Sequence, residues 1–129
     1  MNFTEGKIYN DNGLNFKSIL GGLSLKLDVR YDDKLKSFSD KNVWLGIRPE
    51  DIYDSSISSP SGNNLHINIQ LEVVEPMGNE IFLYFIIDNN QFVARVPARE
   101  MPQAGQLKEL ALDVNKLHFF DSETGIAIR

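Results

Sequence analysis

Strict alternation of apolar and polar residues is the feature that most limits what this chain can fold into. Leu65, Ile67, Ile69, Leu71 and Val73 alternate with His66, Asn68, Gln70 and Glu72. Successive side chains of a strand point to opposite faces, so this spacing puts all five apolar residues on one face of an extended segment. A helix would scatter the same residues round its circumference. Leu23, Leu25, Leu27 and Val29 repeat the pattern, and Val43, Leu45 and Ile47 repeat it up to Arg48-Pro49. Ile81-Phe82-Leu83-Tyr84-Phe85-Ile86-Ile87 is apolar on both faces. That predicts a central strand, or one that buries its second face against a partner.

The connectors carry hairpin chemistry. Asp11-Asn12-Gly13, Pro76-Met77-Gly78-Asn79, Asp88-Asn89-Asn90 and Asp121-Ser122-Glu123-Thr124-Gly125 supply residues that tolerate positive φ. Residues 31–39 and 114–117 have room for a turn or two of helix. Residues 54–64, with five serines, Pro60 and Gly62, read as an exposed loop. No repeat and no linker divides the chain, so residues 1–129 are expected to form a single domain. Eight or nine short strands at tight spacing predict an all-β class, a small β-barrel with one or two short helical turns. The 129 residues, 42% of them hydrophobic, suffice for a packed core.

Several functions are disfavoured at this level. No apolar run approaches the ~20 residues a membrane helix needs, which argues against direct membrane insertion. The opening Met1-Asn2-Phe3-Thr4-Glu5-Gly6 is unlike a signal peptide. Without cysteine there is no disulfide or thiolate metal site, a composition that fits a reducing cytoplasm. Thirteen Lys and Arg against 18 Asp and Glu leave a formal charge of −5. Nucleic-acid binders concentrate positive charge, so nucleic acid is not an expected partner. The one modest basic cluster, Lys34 and Lys36, is offset by Asp32 and Asp33.

Catalytic patterns are equally scarce. No Gly-x-x-x-x-Gly-Lys-Ser/Thr loop is present to cradle a nucleotide phosphate. His66 and His118 stand far apart without His-Glu-x-x-His spacing, and no further zinc ligands suggest themselves. Asp121, Glu123 and Gly125 lack the order of a calcium loop. Glu75 and Glu80 flank the Gly78 turn and would need a deep cleft to cleave a glycoside. The expectation is a chain that is not itself an enzyme, with no catalytic residue, cofactor or metal of its own.

Contact surfaces remain. Arg48 ends a strand, where its five donors can take a nearby carboxylate such as Glu50, Asp51 or Glu75 in bidentate fashion. Pro49 has no N–H to extend the ladder, and Glu50 and Asp51 suit the start of a helical turn. This corner either pins the strand end or faces a partner. Gly78 is placed to supply a positive φ, and Glu80 beside Phe82 and Tyr84 reads as the rim of a contact surface. Trp44, Phe82 and Phe119, with Tyr84, Phe85 and Phe120, serve a core or a subunit interface at this spacing. Stacking of single-stranded bases is an alternative use of such a face, opposed here by the acidic charge. Asp121 opens a Gly-terminated hairpin and completes the set of interface candidates.

Four segments, in order, carry a resemblance. They are Leu45-Gly46-Ile47-Arg48-Pro49-Glu50-Asp51-Ile52, Leu71-Glu72-Val73-Val74-Glu75-Pro76-Met77-Gly78-Asn79-Glu80, Phe92-Val93-Ala94-Arg95-Val96, and Leu117-His118-Phe119-Phe120-Asp121-Ser122-Glu123-Thr124-Gly125-Ile126-Ala127-Ile128. Together they resemble the C-terminal regulatory domain of ATP-binding subunits in ABC importers of the maltose and glycerol-phosphate type. The resemblance implies an OB-type barrel of the transport-associated (TOBE) kind that follows an ATPase domain. It implies that the domain pairs with its twin in a homodimeric motor and, in some members, receives a regulatory protein. ATP and Mg²⁺ would then bind upstream, outside these residues, and Met1 would fall where the ATPase domain ends. The parent would work in the cytoplasm, at the inner face of the cell membrane through the transporter complex. The closing Phe120-Asp121 and Thr124-Gly125 favour the sugar or glycerol-phosphate branch. A different use is also implied, because some such barrels bind small oxyanions between subunits; the candidate loop for that is 55–61.

Overall fold

In the computed structural model, residues 1–55, 64–99 and 101–129 are described. Most of the serine-rich tract, and with it most of the candidate oxyanion loop, lies outside them. The described residues form eleven strands, two or three more than the alternation alone suggests. They are β1 (Asn2–Asn10), β2 (Leu14–Ser18), β3 (Ser24–Lys26), β4 (Asn42–Ile47), β5 (Ile52–Asp54) and β6 (Asn64–Gln70). After these come β7 (Val73–Met77), β8 (Glu80–Ile87), β9 (Asn90–Pro97), β10 (Leu107–Asp113) and β11 (His118–Asp121). One sheet runs β11-β4-β1-β2-β3, a second β5-β10-β6 and a third β7-β8-β9, and every strand pair is antiparallel.

The turn residues act as expected. Asn12 and Gly13 take φ of 54° and 113° between β1 and β2, and Asp88 and Asn89 take 50° and 64° between β8 and β9. Both are the positive-φ geometry whose twist matches paired strands. Helical turns lie over Val29–Tyr31, α1 (Asp32–Leu35) and Lys36–Phe38, and Pro49 opens another over Pro49–Asp51. Residues 114–117 form a turn rather than a helix, closed by the Lys116 N–H on the Asp113 carbonyl at 3.0 Å.

Two alternating runs end earlier than their pattern. β6 stops at Gln70; the Leu71 N–H then bonds the Gln106 carbonyl, and the Glu72 N–H bonds the Tyr84 carbonyl. The chain changes sheets there, so the phase is not carried over, and Val73 is 49% exposed while Leu71 is buried. Leu23, Leu25 and Leu27 are buried as expected, but Val29 is exposed. It follows Asp28, whose carboxylate accepts the Arg30 N–H and turns the strand into a helical turn.

One continuous core fills the space between the sheets, with Ile8, Phe16, Leu45, Phe85, Phe92, Leu110 and Phe119 fully or almost fully enclosed. Polar groups tie the sheets together across it. The buried Asn2 amide donates to the Val93 carbonyl at 2.9 Å and accepts the Val93 N–H at 2.7 Å. In effect the side chain adds one rung to the free edge of β9. The Asp88 carboxylate accepts the Leu20 and Gly22 N–H groups, clamping the β8–β9 turn to the β2–β3 connection. Among the described residues, no helix is long and apolar enough to cross a membrane.

Candidate interface

β8 is the central strand of its sheet, and its two faces have different fates. Ile81, Leu83, Phe85 and Ile87 point into the core and are buried. Glu80, Phe82, Tyr84 and Ile86 therefore point outward. The register sets Val73, Glu75 and Met77 of β7, and Gln91, Val93, Arg95 and Pro97 of β9, on the same outward side. Phe82 and Tyr84 are only half-buried, and Val73, Met77 and Ile86 are 49%, 51% and 46% exposed. This sheet face mixes apolar and charged residues and is largely open, with the Pro49–Asp51 turn beside β9.

Charged groups organise that face. Arg95 lies directly opposite Phe82 and grips Glu80 with two bonds of 3.1 Å, from Nε and from Nη2. Its guanidinium stands 5.8 Å from the Phe82 ring centroid, within cation–π reach. Glu50 approaches the same guanidinium at 3.9 Å. The bond to Glu80 holds Arg95 still more firmly in its charged form. The Tyr84 hydroxyl donates to Glu75 at 3.2 Å, and partial burial together with that carboxylate pushes its pKa up.

The sequence candidates thus separate. Glu50, Glu75, Glu80 and Phe82 meet on or beside this face. Gly78 forms the tip of the β7–β8 hairpin with φ of 70° and open space round it. The bidentate arginine is Arg95, not Arg48, because the β8–β9 register sets Arg95 opposite Phe82 and diagonally within reach of Glu80. Arg48 and Asp51 instead sit near His118. Burial lowers the pKa of that ring and the Arg48 charge lowers it further; burial and Glu50 raise that of Asp51. Trp44 belongs to the outward face of the five-stranded sheet, opposite Glu5 and Phe120. Phe119 is enclosed in the core at 1% exposure, packed edge-on against Tyr31, so no partner can reach it in the folded domain. Asp121 serves the fold through its carboxylate, which accepts the Glu123 N–H at 2.8 Å.

Sequence reasoning passed over Arg95, Val73 and Ile86. Arg95 had a usable signal, since equal steps back from the Asp88-Asn89 turn bring it opposite Phe82. Among the described residues no group of three or more His, Asp or Glu side chains is placed to hold a metal ion.

The relatives of the chain fit this architecture. A family model described as the MalK OB fold domain matches residues 1–52, and the TOBE domain model matches residues 45–120. The chain is 47% identical, over 73% of its length, to the oligosaccharides import ATP-binding protein MsmX of Bacillus subtilis, and 39% identical over the same share to the multiple sugar-binding transport ATP-binding protein MsmK of Streptococcus mutans. It is 30% identical over 99% of its length to the trehalose/maltose import ATP-binding protein MalK of Thermococcus litoralis. The matched regions are 26%, 25% and 34% of those three proteins, so the chain spans only a quarter to a third of their length. With the TOBE model running through more than half of its residues and the MalK-type OB model through the strands before them, the chain belongs to the TOBE domain family.

Proposed function

We propose that this chain is the regulatory and dimerisation domain of an ATP-binding subunit in an ABC importer of sugars or glycerol phosphates. Its relatives are named as import or transport ATP-binding proteins, and this chain matches only a part of each. ATP and Mg²⁺ then bind in the ATPase domain of the parent polypeptide, at the cytoplasmic face of the membrane, and this domain contributes no catalytic group.

The observation that carries the reading is the open outward face of β7-β8-β9. Aromatic residues, methionine and arginine are enriched where proteins meet, and this face offers Phe82, Tyr84, Met77 and Arg95 together. A two-fold contact uses the same patch on both copies, so one such face suffices for a twin. Paired domains keep two ATPase modules near each other between cycles, making each closure intramolecular at an effective concentration in the millimolar range for a short tether. A regulatory protein that grips this domain shifts the motor only by its differential affinity for the open and closed states.

Sedimentation equilibrium on the chain, and on the full-length subunit, checks the reading. The expected result is a reversible dimer that Ile86→Asp and Phe82→Asp convert to monomer without loss of β structure. A full-length subunit that dimerises equally well with both substitutions would refute the assignment of this face.

A further inference from the structure

A cleft of about 430 Å³ is built elsewhere by three parts of the chain that are distant in sequence. Lys34 comes from α1, Arg48 from the end of β4, and His118 from β11. Arg129 arrives because the tail doubles back along β11, with Ala127 bridged to Phe120 and the Ile128 N–H bonded to the Phe119 carbonyl at 2.9 Å. Phe120, Ala127 and Ile128 supply an apolar wall beside the basic groups.

The charge placement is unusual for a chain of net charge −5. Lys34, Arg48 and Arg129 bring three cationic side chains and His118 an imidazole to one cleft that no acidic side chain lines; the one anion there is the α-carboxylate that Arg129 carries as the last residue of these 129. Among the described residues, no carboxylate lies within ion-pair distance of Lys34, Arg48 or Arg129. Lys34 rests over the Tyr31 ring, 5.1 Å from its centroid, leaving the ammonium without an anion. Arg48 and Arg129 are exposed and Lys34 is half-buried, so an anion entering the cleft meets all three charges directly. Burial lowers the His118 pKa most, Arg48 and then Lys34 lower it further, and Asp51 opposes them.

We infer that this cleft binds a small phosphomonoester, with Arg48, Lys34 and Arg129 taking the phosphate and Phe120 and Ile128 taking the organic group. Guanidinium groups match phosphate oxygens in bidentate geometry, and the ammonium adds a point charge. The volume suits a small ligand, since such pockets run from about 300 to 1,000 Å³. The binding is separate from the twin contact and does not depend on it.

The test is an NMR titration of the 129-residue chain with inorganic phosphate, with glucose 6-phosphate, and with glucose and sodium chloride as controls. Saturable shifts are expected at His118 and Phe120, reached at lower concentration with glucose 6-phosphate than with inorganic phosphate. The His118 pKa rises in the bound form. Arg48→Gln and, independently, Lys34→Gln are each expected to weaken binding by about ten-fold, the loss of one charge-assisted bond. Four results would each overturn the inference: no saturation at His118, the same shifts with chloride or glucose, no gain of the ester over inorganic phosphate, or wild-type binding in both variants.

Discussion

Tyr31→Phe removes a single oxygen atom and leaves the ring in place. The side chain is 3% exposed and its hydroxyl makes two bonds. It donates to the Val114 carbonyl at 2.9 Å and accepts the Leu117 N–H at 3.1 Å. The same oxygen thus closes both ends of the turn between β10 and β11 and holds the Val29–Phe38 helical turns against it. Phenylalanine keeps the edge-on contact with Phe119, whose centroid is 5.4 Å away. Each bond contributes about 0.5–1.5 kcal/mol net, and a buried group stripped of its partner costs about 1–3 kcal/mol. One substitution strands a carbonyl and an N–H together, so we expect a loss of about 2–4 kcal/mol from the ~5–15 kcal/mol typical of a domain. Urea denaturation at constant m-value measures it, and hydrogen exchange at the Leu117 amide locates it. A loss below about 0.5 kcal/mol, or unchanged protection at Leu117, would refute the claim that this hydroxyl satisfies the turn.

Two further outcomes follow from the geometry. A Cβ added at Gly6 would collide with the Phe16 ring and lie 2.5 Å from the Lys17 carbonyl oxygen, whereas one at Gly78 meets nothing within 4 Å and suffers only from φ of 70°. Gly6→Ala is therefore expected to cost upward of about 3 kcal/mol and Gly78→Ala about 1–2 kcal/mol; equal shifts in thermal denaturation would contradict the packing at Gly6. The His118 ring, depressed below the ordinary 6.5 first by burial and then by Arg48, binds fewer protons folded than unfolded between those two values. Its contribution to stability is complete above that ordinary value and is lost as pH falls through the folded one. Arg48→Gln should raise the NMR titration midpoint, and a wild-type midpoint at or above 6.5 would show that the ring is not where the fold places it.

Much of this fold was legible in advance, for local reasons. Period-two runs such as Val43, Leu45 and Ile47 are decided by backbone pleat and a dry face, and all three side chains are buried. Turn chemistry is as local, since Asn12, Gly13, Gly78, Asp88 and Asn89 all adopt the positive φ that their side chains, or lack of one, permit. Residues 81–87 are apolar on both faces, and only Glu80, in phase with Phe82 and Tyr84, hinted at which side of β8 faces outward.

Other features had no local signal. Whether Val73 continues a strand or begins another depends on hydrogen bonds to Gln106 and Tyr84, partners the run itself cannot reveal. Arg48 stands just before Glu50 and Asp51 while Arg95 has no acidic residue within four positions, yet the β8–β9 register gives the bidentate pair to Arg95. The basic cleft is the clearest case. Lys34 beside Asp32 and Asp33 reads as a neutralised surface patch, yet the fold turns it toward Arg48 and toward His118 and Arg129 of the closing hairpin. Local sterics and hydrophobic phase act over a few residues and so belong to the sequence. The meeting of charges far apart along the chain is settled by sheet order and register, and belongs to the tertiary structure alone.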